Sequence, residues 1–183
     1  MNDTLIAIKN RRSTRVYTQE MIQEEELNSI LESGMYAPSA GNQQPWHFTV
    51  IDNQDVLQRM NEATKDSFKK SSNEQFKKIA GSEKFNVFHN APIAIIISGD
   101  KNAMLPRVDC AAATENMLIA AESLNIGSCW VQAAIHLFDG DNSDNWKKQL
   151  KIPEGYQPLY AIILGYKGKD DQKAPPRKTR LLI

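Results

Sequence analysis

The chain has 183 residues, 41% of them hydrophobic and 24% charged, with 22 basic and 22 acidic side chains and so no net charge. That length favours a single domain over residues 1–183 with a substantial core, and the lack of a basic excess argues against a general nucleic-acid binder. The opening Met-Asn-Asp-Thr leads into no long apolar run, and the longest such run, 93–97, is far too short to span a bilayer. The expected setting is therefore cytoplasmic, with no membrane partner. Cys110 and Cys129 are not a CxxC pair and read as two reduced thiols, in keeping with that compartment.

Asp3 or Thr4 is placed to cap a short first helix ending near Asn10. The basic, hydroxyl-bearing stretch Arg11-Arg12-Ser13-Thr14-Arg15 follows, and extended backbone there would put Arg11, Ser13 and Arg15 on one face. A second helix over 23–36 sets Leu27, Ile30, Leu31 and Met35 at the spacing of one buried face. Pro38 stops it, because the residue before a proline avoids helical geometry. Residues 48–51 read as a strand, and 55–70 as a helix with Val56, Leu57, Met60 and Ala63 inward. The stretch 71–90 is polar and lysine-rich, and reads either as a mobile excursion or as a short helix around 76–79. Residues 91–98 form a nearly all-apolar strand, expected at the centre of a sheet covered on both faces.

A long helix over 106–124 carries Ala111, Ala112, Ala113, Ala120 and Ala121, small enough for close packing, and Gly127 is placed to end it. Residues 129–133 read as a short extended piece. Ser143 or Asp144 caps a helix to about Leu150, and 159–166 reads as a second buried strand. The tail over 167–183 is basic and ends apolar. Few long strands, separated by helices, place the chain in a mixed α and β class.

Guanidinium groups bind phosphate in bidentate fashion and a serine hydroxyl adds a neutral donor, so Arg11, Arg12, Ser13 and Arg15 are candidates for an anion site. A solvated basic face is the competing reading. Ser39, Asn42 and Gln44 sit in a turn bounded by Pro38 and Pro45. Their amides offer donor and acceptor together, which suits the imide edge of a flat heterocycle, although the same residues are ordinary turn formers. The segment Gly127-Ser-Cys-Trp-Val-Gln-Ala133 can present backbone N–H groups to a ligand. Trp46 and Phe48 read as packing residues, and Asp109 and Glu115 as capping or ion-pair groups.

His47, His89 and His136 lack metal-site spacing. Neither common nucleotide-binding loop occurs, and there is no GxSxG nucleophile elbow. With no acid/base or nucleophile constellation, the pattern points to a protein that binds a phosphorylated cofactor and leaves the chemistry to it.

Taken in order, these segments resemble the nitroreductase family of FMN-dependent flavoproteins, over nearly the whole chain. The resemblance rests on the Arg-Arg-Ser-x-Arg opening, an Ala-Pro-Ser-x-x-Asn-x-Gln-Pro-Trp turn and the Ala-Pro strand at 91–92. It continues through an Asp109-led Ala-rich helix ending Leu-x-Ile-Gly-Ser-Cys-Trp130, the Leu-Gly-Tyr166 strand end and a basic Pro-Arg tail.

It implies an α+β, nitroreductase-like fold: a mainly antiparallel central sheet flanked by helices, in an intertwined homodimer with FMN at the interface. Arg11, Arg12 and Ser13 would hold the phosphate and ribityl chain, and Arg15 would face the pyrimidine edge. Pro38, Ser39, Ala40, Asn42 and Gln44 would reach the flavin from the other subunit. In the family a backbone N–H after the Gly-Ser-Cys-Trp turn approaches flavin N5. Here that is Ala133, with Trp130, Val131 and Gln132 beside it. Arg177 would complete the phosphate site, with Lys173 and Lys178 as alternates.

The implied activity is NAD(P)H-dependent reduction of nitroaromatics, quinones or similar small flat acceptors by a ping-pong hydride mechanism. Reductive dehalogenation, flavin breakdown and a non-catalytic flavin sensor are the alternatives. The chain departs from the larger family members over 64–90, where six lysines meet three acids. That stretch reads as a lid favouring an anionic reductant or substrate, with Lys84 and Asn86 as polar groups near the ring.

Overall fold

The computed structural model describes residues 2–140, 142–168 and 174–176. Its first helix, α1 (Asp3–Asn10), is capped one residue earlier than the sequence suggests, by Asn2, whose side chain accepts from Leu5 N at 3.0 Å. Helix α2 (Glu24–Met35) starts with a capping box in which Gln23 and Glu26 satisfy each other's backbone donors. Along it Ile30 is buried, and Leu27 and Leu31 pack partly against the same core.

Met35 departs from the expected buried stripe and is exposed, while Gly34 takes the inward position. A Cβ on Gly34 would lie 3.0 Å from both Met117 Cγ and Phe48 Cζ. The helix therefore sits closer to its neighbours than a side chain there allows.

Four strands form one antiparallel sheet: β1 (Trp46–Ile51), β2 (Ile93–Asp100), β3 (Ile126–Trp130) and β4 (Tyr156–Tyr166), in the order β1-β2-β4-β3. The apolar run of β2 follows from burial on both faces. Ile93, Ile95 and Ile97 join the core under α2 and the long helix α5 (Pro106–Ser123). Ala94 and Ile96 join the opposite core with Leu57 and Met60 of α3 (Gln54–Lys70). Pro158 lies inside β4 at a register shift opposite Ile97 and Ser98, a position where a missing N–H is tolerated.

Helix α3 buries Leu57, Met60, Thr64 and Phe68, a stripe that runs further than the sequence suggests. Buried Thr64 is satisfied by donating to Met60 O at 2.9 Å. The segment after it forms a second helix, α4 (Glu74–Ala80), held by Phe76 stacked on Phe68 with centroids 4.4 Å apart.

Helix α5 packs its small residues Ala113 and Ala121 at full burial. It ends at Ser123, before the expected glycine stop. Asn125, at φ 59°, provides the left-handed residue, which asparagine accepts more readily than most residues. Gly127 lies instead inside β3, which starts earlier than expected and gives way at Gln132–Phe138 to a 3₁₀ turn. Helix α6 (Ser143–Gln149), preceded by Asn142, adds the buried Trp146 to the core that holds Leu57 and Met60.

Candidate cofactor site

The basic opening segment is an added edge to the sheet. Thr14 N donates to Ser128 O at 2.9 Å and Thr18 N to Tyr166 O at 3.0 Å. Ser13 pairs with Ser128 in a parallel bridge, and Tyr17 with Lys167 in an antiparallel one. The segment comes this close because residue 127 is glycine: a Cβ there would meet Thr14 Cγ2 at 2.8 Å.

Thr14 is buried against the strand, and the alternation expected of an extended chain holds. Arg15, Ser13 and Arg11 all act on the Cys129 thiol, opposing the burial that pushes its pKa up. Arg12 turns back and donates to Lys9 O at 2.8 Å and Arg11 O at 2.7 Å, which covers carbonyls at the end of α1. Its Nε is buried with no partner among the described residues. Arg11 has a carboxylate at reach, Glu115 at 3.9 Å, half-exposed. Arg15 Nη1 donates to Ser13 O at 3.2 Å. Among the described residues, three guanidinium groups beside a single distant carboxylate leave positive charge, an environment that fits a phosphate.

This segment borders a cleft of about 560 Å³. Arg15, Lys84, Asn86 and His89 give it a polar edge, Phe76 and Phe85 an aromatic wall, and residues 129–133 a floor. The floor is rigid. Val131 N continues the ladder to Ala161 O at 2.8 Å. The Gln132 side chain accepts from Trp130 Nε1 and donates to Leu159 O, each at 2.9 Å. The 3₁₀ turn begins at Gln132 with Ala134 N bonded to Val131 O. The first N–H groups of such a turn, those of Gln132 and Ala133, have no partner inside it.

The turn over 38–44 lies elsewhere and does not line this cleft. Ala40 N donates to Asp109 Oδ1 at 3.2 Å, Gln44 N to Ser39 Oγ at 3.0 Å and Gln44 Nε2 to Asn42 Oδ1 at 3.0 Å. Asn42 and Gln44 both have left-handed backbone, at φ 53° and 47°. Gln43, which the motif does not single out, accepts from Met104 N at 2.8 Å. Asp109 and Glu115, the contacts of the two clusters on α5, are separated by about 9 Å of helix rise. Within one chain Arg15 lines the cleft with 130–133, Ser13 pairs with Ser128 and Arg11 acts on Cys129 beside it, while Arg12 turns back toward α1, and Pro38, Ser39, Ala40, Asn42 and Gln44 are absent from the cleft lining. Arg177, Lys173 and Lys178 lie outside the described residues.

His89 also lines the cleft, and no motif in the sequence marks it. It and Asn90 are consecutive non-glycine residues at φ 50° and 55°. Burial, then the Arg15 charge, lowers its pKa from the usual histidine value.

An antiparallel α+β fold with a cationic, aromatic-walled cleft defines the class of protein. Residues 8–166 match the model of the Nitroreductase family. A relative from Archaeoglobus fulgidus, provisionally named an NADH dehydrogenase/NAD(P)H nitroreductase, is 34% identical over 91% of this chain and 86% of its own. A Bacteroides fragilis nitroreductase solved with bound FMN is 34% identical, covers 100% of both chains and superposes with a TM-score of 0.91. A Desulfitobacterium hafniense nitroreductase, also solved with bound FMN, is 28% identical over 98% of this chain and 95% of its own, with a TM-score of 0.85. The chain belongs to the nitroreductase family and is an oxidoreductase.

Proposed function

We propose that the protein is a homodimeric, FMN-dependent NAD(P)H oxidoreductase that reduces nitroaromatics, quinones or similar flat, electron-poor acceptors in alternating half-reactions. The observation that carries this reading is the cationic opening segment docked beside the floor of the cleft, with a buried Arg12 Nε that has no protein partner among the described residues. Bound FMN would supply the chemistry, accepting hydride from the nicotinamide and passing it to the acceptor.

The chain's own contribution is positional and electrostatic. Arg11, Arg12 and Ser13 hold the phosphate and ribityl chain, and Arg15 holds positive charge at the pyrimidine edge. The N–H of Ala133, with that of Gln132 beside it, is the donor aimed into the cleft. Phe76 and Phe85 cover flat ligands and keep water away. Donor and acceptor share one cleft, which suits alternating occupancy.

The turn over 38–44 completes a partner subunit's site, because its strained, hydrogen-bonded backbone serves nothing in its own cleft. Exposed Tyr36, Met35, Met104 and Val108 give the apolar area that such a dimer would bury. Hybrid dimers test this arrangement. A chain carrying Arg11→Ala, paired with one carrying Asn42→Asp, should retain one normal FMN site per dimer. Two equally weakened sites would contradict it.

A further inference from the structure

His89 sits where no nitroreductase-like motif of this chain placed a functional group. It lines the same cleft as Arg15, Lys84 and Cys129. Its backbone is left-handed, an uncommon conformation for a non-glycine residue although histidine enters it more readily than most. The surroundings here are explicit. His89 N donates to Asn86 O at 3.3 Å, Asn86 Nδ2 donates to Asn90 Oδ1 at 2.7 Å, and Ala91 N donates to Phe88 O at 2.9 Å. The loop is pinned to α3, where Val87 N donates to Asn61 Oδ1 at 2.9 Å. A loop tied down this way holds the imidazole at a fixed place in the cleft lining.

The charges around the imidazole state what it can do there. Among the described residues the other titratable groups lining the cleft are Arg15 on the opening segment, Lys84 on the loop before β2, and Cys129 on β3, with no carboxylate. Burial holds the Cys129 thiol neutral and lowers the imidazole pKa, with Arg15 adding to the second effect. The cleft is thus cationic with a neutral histidine. Two-electron reduction adds negative charge to a bound flavin, and a nearby neutral imidazole is the group best able to answer with a proton.

We infer that His89 is the proton carrier of this cleft, taking up one proton as bound FMN is reduced and giving it to the acceptor as hydride is delivered. This rests on the FMN reading above. In the first half-reaction the nicotinamide C–H bond breaks and hydride passes to the flavin, leaving NAD(P)⁺, while one proton from water adds to an imidazole nitrogen. In the second, hydride bonds to the acceptor and the imidazole proton goes to its basic oxygen. A quinone then leaves as hydroquinone, and His89 is neutral again. NAD(P)H, one proton and the quinone balance NAD(P)⁺ and the hydroquinone.

The test is the flavin midpoint potential of the holoprotein from about pH 5 to about pH 9, for wild type and His89→Asn. Asparagine is chosen because it tolerates left-handed backbone. Each proton taken up per two electrons contributes about 30 mV per pH unit. The wild type should show a segment near 59 mV per unit, where both the hydride proton and the His89 proton enter, breaking to about 30 mV above it. His89→Asn should follow the shallow line throughout. A wild type without the steep segment, or a variant that keeps it, overturns the inference. Imidazole NMR titration of the wild type decides it independently of any variant, since the His89 pKa must be higher in the reduced than in the oxidised protein. Failure of the wild type to bind FMN would remove the underlying reading itself, whereas bound flavin with an unresponsive His89 overturns only this one.

Discussion

Asp109 Oδ1 accepts the Ala40 N–H at 3.2 Å and so ties the first turn of α5 to a loop 69 residues earlier in the chain. The carboxylate is almost fully buried, and its second oxygen has no partner among the described residues. Removing it strands the Ala40 donor and frees the turn over 38–44. Asp109→Ala should cost about 1–3 kcal/mol in denaturant unfolding, with faster amide exchange confined to the turn. Unchanged exchange there would show that the turn holds itself.

The contact between Gly127 and Thr14 gives a second prediction. A Cβ at 127 would meet Thr14 Cγ2 at 2.8 Å and Lys167 Cγ at 3.1 Å. Gly127→Ala should lift the opening segment off β3, costing about 1–3 kcal/mol of stability and weakening FMN affinity. Adding Thr14→Ser removes the clashing methyl and should recover part of both losses. If the double variant is no better than the single one, the clash is not the cause.

Arg11 carries its charge toward Cys129 and, among the described residues, has only the distant Glu115 carboxylate as an ion-pair partner. Arg11→Ala should weaken FMN binding by roughly 1–3 kcal/mol, or about 5- to 150-fold in Kd by fluorescence quenching. Equal affinities would remove Arg11 from the phosphate site.

The two thiols should be inert in the folded protein. Burial pushes Cys110 up to about 12, with Asp109 adding to the effect, and burial also raises Cys129 against the opposing pull of Arg15, Ser13 and Arg11. Because the thiolate is the reactive form, alkylation near pH 8 should be slow in the native state and rapid in denaturant. Fast native labelling of Cys129 would show an opening of the cleft floor.

Stability should also fall on mild acidification. Burial lowers the His47 pKa, and burial with Arg15 lowers that of His89, from an unfolded value of 6.5. Below that value the unfolded chain binds protons the folded one resists, so the contribution present above pH 6.5 is lost as pH falls toward the lower folded values. The FMN-free protein should lose Tm over that window, and His89→Asn should flatten the loss. An identical slope would place the titration elsewhere.

Much of this architecture was readable from local chemistry. The apolar run of β2 announced burial on two faces because both of its side-chain sets are isoleucine- and alanine-rich. The alternation of Arg11, Ser13 and Arg15 needed only an extended backbone. What escaped was set by partners distant in sequence. Gly127 looks like a helix stop until Thr14 is seen against it, and Met35 fits a buried stripe until Gly34 is found tight against Met117 and Phe48. Helix α4 carries only Phe76, Ile79 and Ala80 as apolar residues, so the sequence leaves a short helix around 76–79 and a mobile excursion both open, and Phe76 stacking on Phe68 decides for the helix. His89 carried no motif, and its role surfaces only with its backbone angle and its position beside Arg15.

Whether this protein is a flavin-dependent NAD(P)H oxidoreductase is tested by an anaerobic absorbance titration of the purified, FMN-soaked protein with NADPH and then NADH. The protein should hold one flavin per chain, bleached stoichiometrically by at least one nicotinamide and recoloured by a quinone or nitroaromatic. A protein that binds no flavin after soaking, or a bound flavin that neither nicotinamide bleaches, would contradict that function.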